Sequence, residues 1–137
     1  MNSLLLDTCA AIWLAEDMPL TDEAVDAIDA AYDQSQPIHV SPFTAWEVGM
    51  LVSRGRLSAV TQPATWFRRL VGLDGIRLAD LSPDILIASS SLPGDPPRDP
   101  ADRIIIATAR DLGMTIVTRD HLILDYANAG HVRALGC

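Results

Sequence analysis

Short apolar runs alternate with longer amphipathic segments along this chain, and the alternation predicts strands separated by helices. A run of three to five mostly apolar residues is too short for a helix and fits a buried strand. The predicted strands cover residues 3–6, 38–40, 76–79, 115–118 and 131–135. This order is typical of βα units, so we expect an α/β fold with a mostly parallel central sheet.

Capping residues locate the starts of the predicted helices. Serine or aspartate followed by proline is a typical start, because the side chain accepts a hydrogen bond from the first turn and proline needs no acceptor there. Such starts are Ser41-Pro42, Ser82-Pro83 and Asp99-Pro100. Thr8 and Thr21 are expected to cap two further helices. The helices with the clearest bounds are predicted over residues 42–53, 63–71 and 100–112.

The composition predicts one domain spanning residues 1–137, because a 49% hydrophobic content is enough for a core without disulfides. The stretch SSLPGDPPR is predicted to be an exposed loop. Cys9 and Cys137 lack zinc-binding spacing, which favours a reducing cytoplasm, and Cys9 is expected to be a small buried hydrophobe. The N-terminus lacks the basic region of a signal peptide, and no apolar run is long enough to suggest a membrane protein.

The acidic charge at first argues against a nucleic-acid ligand. The chain has 18 acidic and 10 basic residues, for a net charge of -8, whereas phosphate backbones favour a positive surface. Divalent cations and local arginines can supply positive charge in an acidic enzyme, so RNA is not excluded. Every basic residue is arginine, which excludes a P-loop lysine, a receiver-domain lysine and a Schiff-base mechanism.

Two acidic residues fall on helix faces that should point inward. Glu47 lies within an apolar stripe of the helix at 42–53, and Asp102 lies one turn ahead of several inward-facing residues of the helix at 100–112. An unpaired buried carboxylate costs several kcal/mol, so it must be neutral, paired with arginine or bound to a metal. Asp102 could instead stabilise its helix, because a negative charge in the first turn interacts favourably with the helix dipole, and Asp99 could be an ordinary N-cap. The stripe around Glu47 consists of Phe43, Trp46, Met50 and Leu51.

Two further acids, Asp7 and Asp120, come at or just after the carboxyl ends of predicted strands. That edge is where ligands bind in open α/β sheets. Each could instead be a turn former or a helix cap. The strand-end acids and the inward-facing acids, Glu47 and Asp102, can nevertheless meet at one end of the sheet, which predicts a shared acidic site.

The sequence blocks that carry these acids resemble the PIN-domain family, especially the toxin ribonucleases of bacterial VapC-type toxin–antitoxin pairs. The blocks are LLLDTCAAIWLAED, SPFTAWEVGMLVSRGRL, RDPADRIIIATARDLGMTIVTRD and YANAGHVRAL, and together they cover nearly the whole chain. The resemblance implies a PIN-like three-layer α/β/α fold and an endoribonuclease. It assigns the acidic quartet to Asp7, Glu47, Asp102 and Asp120, with Asp99 as an accessory acid and Thr8 and Thr118 as small hydroxyl residues beside it.

The resemblance also implies a cofactor and partners. Crowded carboxylates raise each other's pKa unless a hard cation such as Mg²⁺ or Mn²⁺ compensates their charge. Asp7 and Asp102 would be direct or near-direct metal ligands, and Glu47 and Asp120 would complete the pocket, orienting water or holding a second ion. A small antitoxin, encoded by a neighbouring gene, is expected to plug the acidic pocket with an arginine. A homodimer is expected through the face of Trp46 or the segment around Trp66. One departure is the loop before Asp99, which lacks a histidine that many relatives carry.

Two alternatives stay open from the sequence. The first is a non-catalytic acidic α/β module that binds a metal or a partner, and the second is a nuclease of this fold that acts on DNA. The scattered His39, His121 and His131 are expected to be structural or exposed. Trp13 and Trp46 are expected in the core or an interface rather than as base-stacking platforms. Arginines that could contact RNA are Arg54, Arg56, Arg68, Arg69 and Arg119.

Overall fold

Within the residues that the structure describes, five parallel strands form one central sheet in the order β3-β2-β1-β4-β5. The computed structural model describes residues 3–137. The strands are β1 (Ser3–Leu6), β2 (Ile38–Val40), β3 (Ile76–Leu78), β4 (Met114–Thr118) and β5 (Arg133–Gly136). Compared with the prediction, β3 ends one residue earlier, β4 begins one residue earlier, and β5 begins two residues later and ends one residue later.

In the described part of the chain, seven helices connect the strands, and most of their starts follow the capping signals in the sequence. Proline occupies the first turn of α3, α4, α5 and α6, where the absence of its N–H costs nothing. The helices are α1 (Thr8–Ala15), α2 (Asp22–Asp33), α3 (Pro42–Ser53), α4 (Pro63–Val71), α5 (Pro83–Ala88), α6 (Pro100–Leu112) and α7 (His121–Asn128). Within residues 3–137, none of these helices has the length and apolar character needed to cross a membrane.

The cap of α1 differs from the prediction. Asp7, not Thr8, is the N-cap, and its carboxylate accepts a hydrogen bond from the backbone N–H of Ala10 at 2.8 Å. Thr8 is therefore the first helical residue, and its side chain is buried. The consequence is that the strand-end carboxylate is fixed by the first turn of the next helix.

Two cores cover the two faces of the sheet and make three layers. On one face, Leu4, Leu6 and Val40 pack with apolar residues of α1, α2 and α4. On the other face, Leu5 and Ile116 pack with residues of α6 and α7. Successive strand residues point to opposite faces, so β1 is apolar throughout because both of its faces are covered. The predicted three-layer α/β/α fold with a parallel sheet is confirmed.

The strand order places a crevice beside β1. The chain moves from β1 outward through β2 to β3 and then returns to the other side of β1 with β4, which pairs with β1 in parallel. Connections therefore leave β1 and β4 in opposite directions at their carboxyl ends, and such switch points are where open parallel sheets bind ligands. Asp7 follows β1 and Asp120 lies just beyond β4, so both acids lie at this crevice.

Candidate active site

Asp7 is buried at the carboxyl end of β1, with only 8% of its surface exposed. One carboxylate oxygen accepts the Ala10 N–H, and the other accepts a hydrogen bond from the hydroxyl of Thr118 at the end of β4. Burial raises the pKa of Asp7, and Asp120 raises it further by charge repulsion, whereas the two hydrogen bonds lower it. The net shift is upward, so two donors do not offset the cost of keeping this carboxylate ionised away from water.

Thr118 links the two strand-end acids. Besides donating to Asp7, its hydroxyl oxygen accepts a hydrogen bond from the backbone N–H of Asp120 at 2.9 Å. Asp120 in turn caps α7, because its carboxylate accepts hydrogen bonds from the N–H groups of Leu122 and Ile123. The side chains at the ends of β1 and β4 therefore form one continuous hydrogen-bonded unit.

We expect Thr118→Val to lower the free energy of unfolding by about 1–3 kcal/mol, because it removes a donor to buried Asp7 and leaves the Asp120 N–H without its acceptor. Thr115→Val, on the same strand and with no side-chain hydrogen bond among those described, is the matched control and should change stability by less than about 0.5 kcal/mol. Urea unfolding checks this. Equal midpoints for wild type and Thr118→Val would refute the role given to this hydroxyl.

Glu47 reaches the same crevice from α3. Its carboxylate accepts a hydrogen bond from the Thr8 hydroxyl at 2.5 Å, and Thr8 also shares a hydrogen bond of 3.1 Å with the buried Thr44 hydroxyl. Burial raises the pKa of Glu47, the Thr8 hydrogen bond lowers it, and the charges of Asp99 and Asp7 raise it. Its hydrogen-bond partner is thus a hydroxyl group and not an arginine.

The predicted orientation of α3 is wrong in one respect. The fully buried side chains of this helix are Thr44 and Val48, whereas Glu47 is half-buried and Trp46 is 58% exposed. Glu47 therefore lies at the border between the core and a surface groove. The sequence analysis did not identify Thr44. It could have been found as a second polar residue, one turn before Glu47, on a largely apolar helix.

Asp102 and Asp99 reach the crevice from the start of α6. Because α6 runs back toward the start of β4, its N-terminus lies at the carboxyl edge of the sheet. Asp99 caps this helix by accepting the Ala101 N–H at 2.8 Å, as predicted. Asp102 is in the first turn, where its charge complements the helix dipole.

Among the acids of the crevice, Asp102 has the largest shift in pKa. Burial first, and then the charges of Asp120, Asp99, Glu47 and Asp7, raise the pKa of Asp102 to about 7. Every charged neighbour responsible for this shift is a carboxylate. The crevice therefore carries excess negative charge, and no arginine is among the charged groups that act on Asp102. A bound cation would reduce the repulsion between these carboxylates.

The donor chemistry of the crevice fits a hard divalent cation, although a complete ligand set is not preassembled. Carboxylate oxygens are the ligands that Mg²⁺ and Mn²⁺ prefer. Among residues 3–137, no three His, Cys, Asp or Glu side chains lie close enough together to form a ligand group. Mg²⁺ commonly uses one or two carboxylates and keeps several waters, so the crevice suits a cation that is only partly bound by protein.

Several other sequence predictions can now be compared with the structure. Cys9 is exposed and not buried, because the inward positions at the start of α1 are taken by Thr8, Ala10 and Ala11. Arg119 lies over the Trp13 ring at 3.2 Å from its centroid. It also donates to the backbone carbonyl of Pro19 at 3.2 Å. These contacts point the guanidinium of Arg119 to Trp13 and Pro19 and not to the acids.

The loop that lacks the expected histidine is held against α6, α7 and the segment after α7. Tyr126 donates its hydroxyl to the carbonyl of Pro93, and Arg103 donates to the carbonyl of Pro97 at 2.7 Å. Gly94 has a φ of 69° and packs so closely on the His131 ring that a β-carbon there would clash with it. His131 thus has a packing role, as expected for a histidine outside the acidic site.

Comparison with known proteins gives one family and one fold. A family model described as the PIN domain matches residues 4–129. The chain is 31% identical over 121 residues to Ribonuclease VapC22 of Mycobacterium tuberculosis (strain ATCC 25618 / H37Rv), and the alignment covers 88% of each protein. VapBC2 from Rickettsia felis, crystallised with a DNA fragment from its promoter, has a TM-score of 0.67 at 14% identity over 97% of both chains. FitAcB from Neisseria gonorrhoeae has a TM-score of 0.56 at 21% identity over 96% of both chains.

Proposed function

Because this chain belongs to the PIN domain family, we propose that it is a Mg²⁺- or Mn²⁺-dependent endoribonuclease and the toxin of a type II toxin–antitoxin system. The observation that carries the proposal is the acidic crevice, where Asp7, Glu47, Asp102 and Asp120 converge and no arginine neutralises them. The similarity to a protein named as a ribonuclease supports RNA as the substrate. The net charge of -8 is compatible with RNA because a bound cation would supply positive charge where the phosphate lies.

Each acid has a role in this proposal that follows from its position. Asp7 and Asp102 would hold the cation, Glu47 and Asp120 would complete the pocket and orient water, and Asp99 would add negative charge at the edge. Thr118 and Thr8 fix the carboxylates of Asp7 and Glu47 by hydrogen bonds. When bound, the cation supplies charge to the scissile phosphate and lowers the pKa of a coordinated water. That chemistry hydrolyses a phosphodiester without a histidine.

The test is cleavage of a mixed RNA pool and a single-stranded DNA pool by purified protein with Mg²⁺ or Mn²⁺, compared with EDTA. A mock preparation from cells that lack the gene controls for contaminating ribonuclease. We expect cleavage of RNA only, and only with metal. Equal cleavage of DNA would favour a DNA nuclease, and no cleavage of either pool would favour the non-catalytic acidic module.

We propose that a small antitoxin is a partner of this chain. The crevice has the charge to accept an arginine side chain, which pairs with carboxylates through two parallel hydrogen bonds. The similarity in fold to VapBC2 and FitAcB also supports a partner. Co-expression with the neighbouring small gene should yield a complex in which RNA cleavage is suppressed. Recovery of the two proteins in separate fractions would contradict the proposal.

The homodimer stays a prediction, and the two tryptophan surfaces proposed for it differ in the structure. Trp66 is half-buried and donates its indole N–H to Glu16 at 2.9 Å, whereas Trp46 is exposed. A dimer through either surface would appear in size-exclusion chromatography with light scattering. A single species at 14.8 kDa over a range of protein concentrations would exclude it.

A further inference from the structure

A surface groove of about 310 Å³ lies beside the acidic crevice. Glu47 and Asp99 belong both to the wall of this groove and to the group of acids, so the groove opens directly onto the proposed site of cleavage. Arg54 and Arg56, which are both exposed, also line the groove. The remaining wall is formed by apolar side chains of α3 and by the start of α6: Phe43, Trp46, Met50, Leu51, Pro100 and Ala101.

Trp46 gives the groove a flat aromatic surface. Its ring stacks on Phe43 with centroids 5.2 Å apart and an angle of 27° between the planes, yet 58% of the residue is exposed. Of the large exposed apolar residues in the described chain, Trp46 is the one that lines this groove. A tryptophan that is supported by a second ring and open to solvent is suited to stack on a planar ligand group.

The groove has a carboxylate, Glu47, and an arginine, Arg54, at two positions along α3. Glu47 and Arg54 are seven residues apart on the same helix, which corresponds to about 10 Å along its axis. The chain as a whole has a net charge of -8. Arg54 and Arg56, two residues apart and both exposed, add local positive charge to this aromatic groove. Their guanidinium groups can hold a phosphate next to the one at the acidic crevice.

We propose that this groove binds one nucleotide of single-stranded RNA next to the cleaved phosphate, with its base stacked on Trp46 and a phosphate on Arg54 and Arg56. The proposal rests on the proposed ribonuclease function and names a substrate subsite for it. RNA is favoured over a protein because the groove has the volume of a small-ligand site and contains a single large exposed apolar residue. A stable protein interface needs a wider apolar patch. Single-stranded RNA, with its bases unpaired, can present one to an aromatic ring.

The test measures KM and kcat for cleavage of a fluorescein-labelled, unstructured single-stranded RNA in the presence of Mn²⁺. Trp46→Ala should raise KM about 5- to 150-fold, the range expected for loss of one stacked base, and change kcat less than about twofold. Trp46→Phe should recover most of the loss. Ile87→Ala, at a residue that is 68% exposed on α5, is the matched control and should leave both constants unchanged.

The salt dependence of RNA binding tests the arginines separately. The double variant Arg54→Gln/Arg56→Gln should reduce the slope of log affinity against log salt by about 0.7, since the two arginines hold one phosphate and each neutralised phosphate of a single strand contributes about 0.7. Trp46→Ala should leave that slope unchanged. Loss of stacking should therefore change the affinity but not the salt slope, whereas loss of the arginines should change the slope. An unfolded variant would not give this pair of results.

Each alternative outcome overturns the inference in a recognisable way. Wild-type KM in Trp46→Ala would refute the subsite while leaving the ribonuclease intact. If Trp46→Ala keeps its KM but loses a homodimer or the antitoxin complex, the groove is a protein interface. If the wild-type protein cleaves no RNA, the proposed function fails first and the subsite fails with it.

Discussion

Asp7→Asn should lower the rate of RNA cleavage by at least about 100-fold while the protein stays folded. A change beside a metal ligand commonly costs 10- to 100-fold, so loss of a ligand charge should cost no less. Asparagine keeps the shape of the side chain and can still accept the Ala10 N–H as the N-cap of α1. Because folding raises the pKa of Asp7, the ionised carboxylate opposes folding, and the neutral amide should leave stability equal or higher.

The matched control for Asp7→Asn is Asp29→Asn, the same chemical change on the exposed side of α2. Single-turnover cleavage and urea unfolding are measured on both variants. Loss of activity in Asp7→Asn with an unchanged or higher unfolding midpoint is the expected pair of results. Full activity in a folded Asp7→Asn protein would remove Asp7 from the active site.

Asp102→Asn should change how stability depends on pH in the absence of metal. Asp102 has a pKa of about 7 in the folded protein against 3.8 as its ordinary value, so between these pH values the folded state binds more protons than the unfolded state. Its contribution to stability is therefore complete at low pH and is lost as the pH rises toward 7. Solvent screens this partly exposed group, so we expect a loss of about 1–2 kcal/mol, less than the full shift would give.

The prediction is tested as a difference between two unfolding curves in EDTA. Wild type and Asp102→Asn should be similarly stable near pH 4, and the variant should be the more stable one at pH 8. Burial lowers the pKa of His39, which gives the opposite trend at acidic pH, but this trend is the same in both proteins and cancels. Mg²⁺ should stabilise wild type at pH 8. Parallel curves without metal would show that Asp102 is not crowded by negative charge.

Local chemistry made the helix starts and the strand-end acids predictable from the sequence. Proline and its capping neighbour define the starts of α3, α5 and α6 whatever the tertiary contacts are. Asp7 and Asp120 were placed correctly because a strand end is a local feature and parallel strands share one edge. The crevice could thus be anticipated before any side-chain geometry was known.

The faces of α1 and α3 could not be predicted, because both helices are apolar on most sides. Periodicity identifies a buried face only when polar residues mark the opposite one. On α3 the inward side chains are Thr44 and Val48, and Trp46, which was expected in the core or an interface, lies outside the core of the chain. On α1, the N-cap is Asp7 and not Thr8 as predicted, and Cys9 is exposed and not buried as predicted. Contacts with α1, α4 and α6 decided the inward face of α3, and contacts with β1, β4 and α3 decided that of α1; the local sequence contains none of these contacts.

The central claim is that the acidic crevice binds a divalent cation, and a Mn²⁺ titration followed by the electron paramagnetic resonance signal of free Mn²⁺ tests it most directly. Wild type and Asp29→Asn should bind Mn²⁺ equally, and Asp7→Asn and Asp102→Asn should bind it at least about tenfold more weakly. Absence of binding by wild type, or equal binding by all four proteins, would contradict the account.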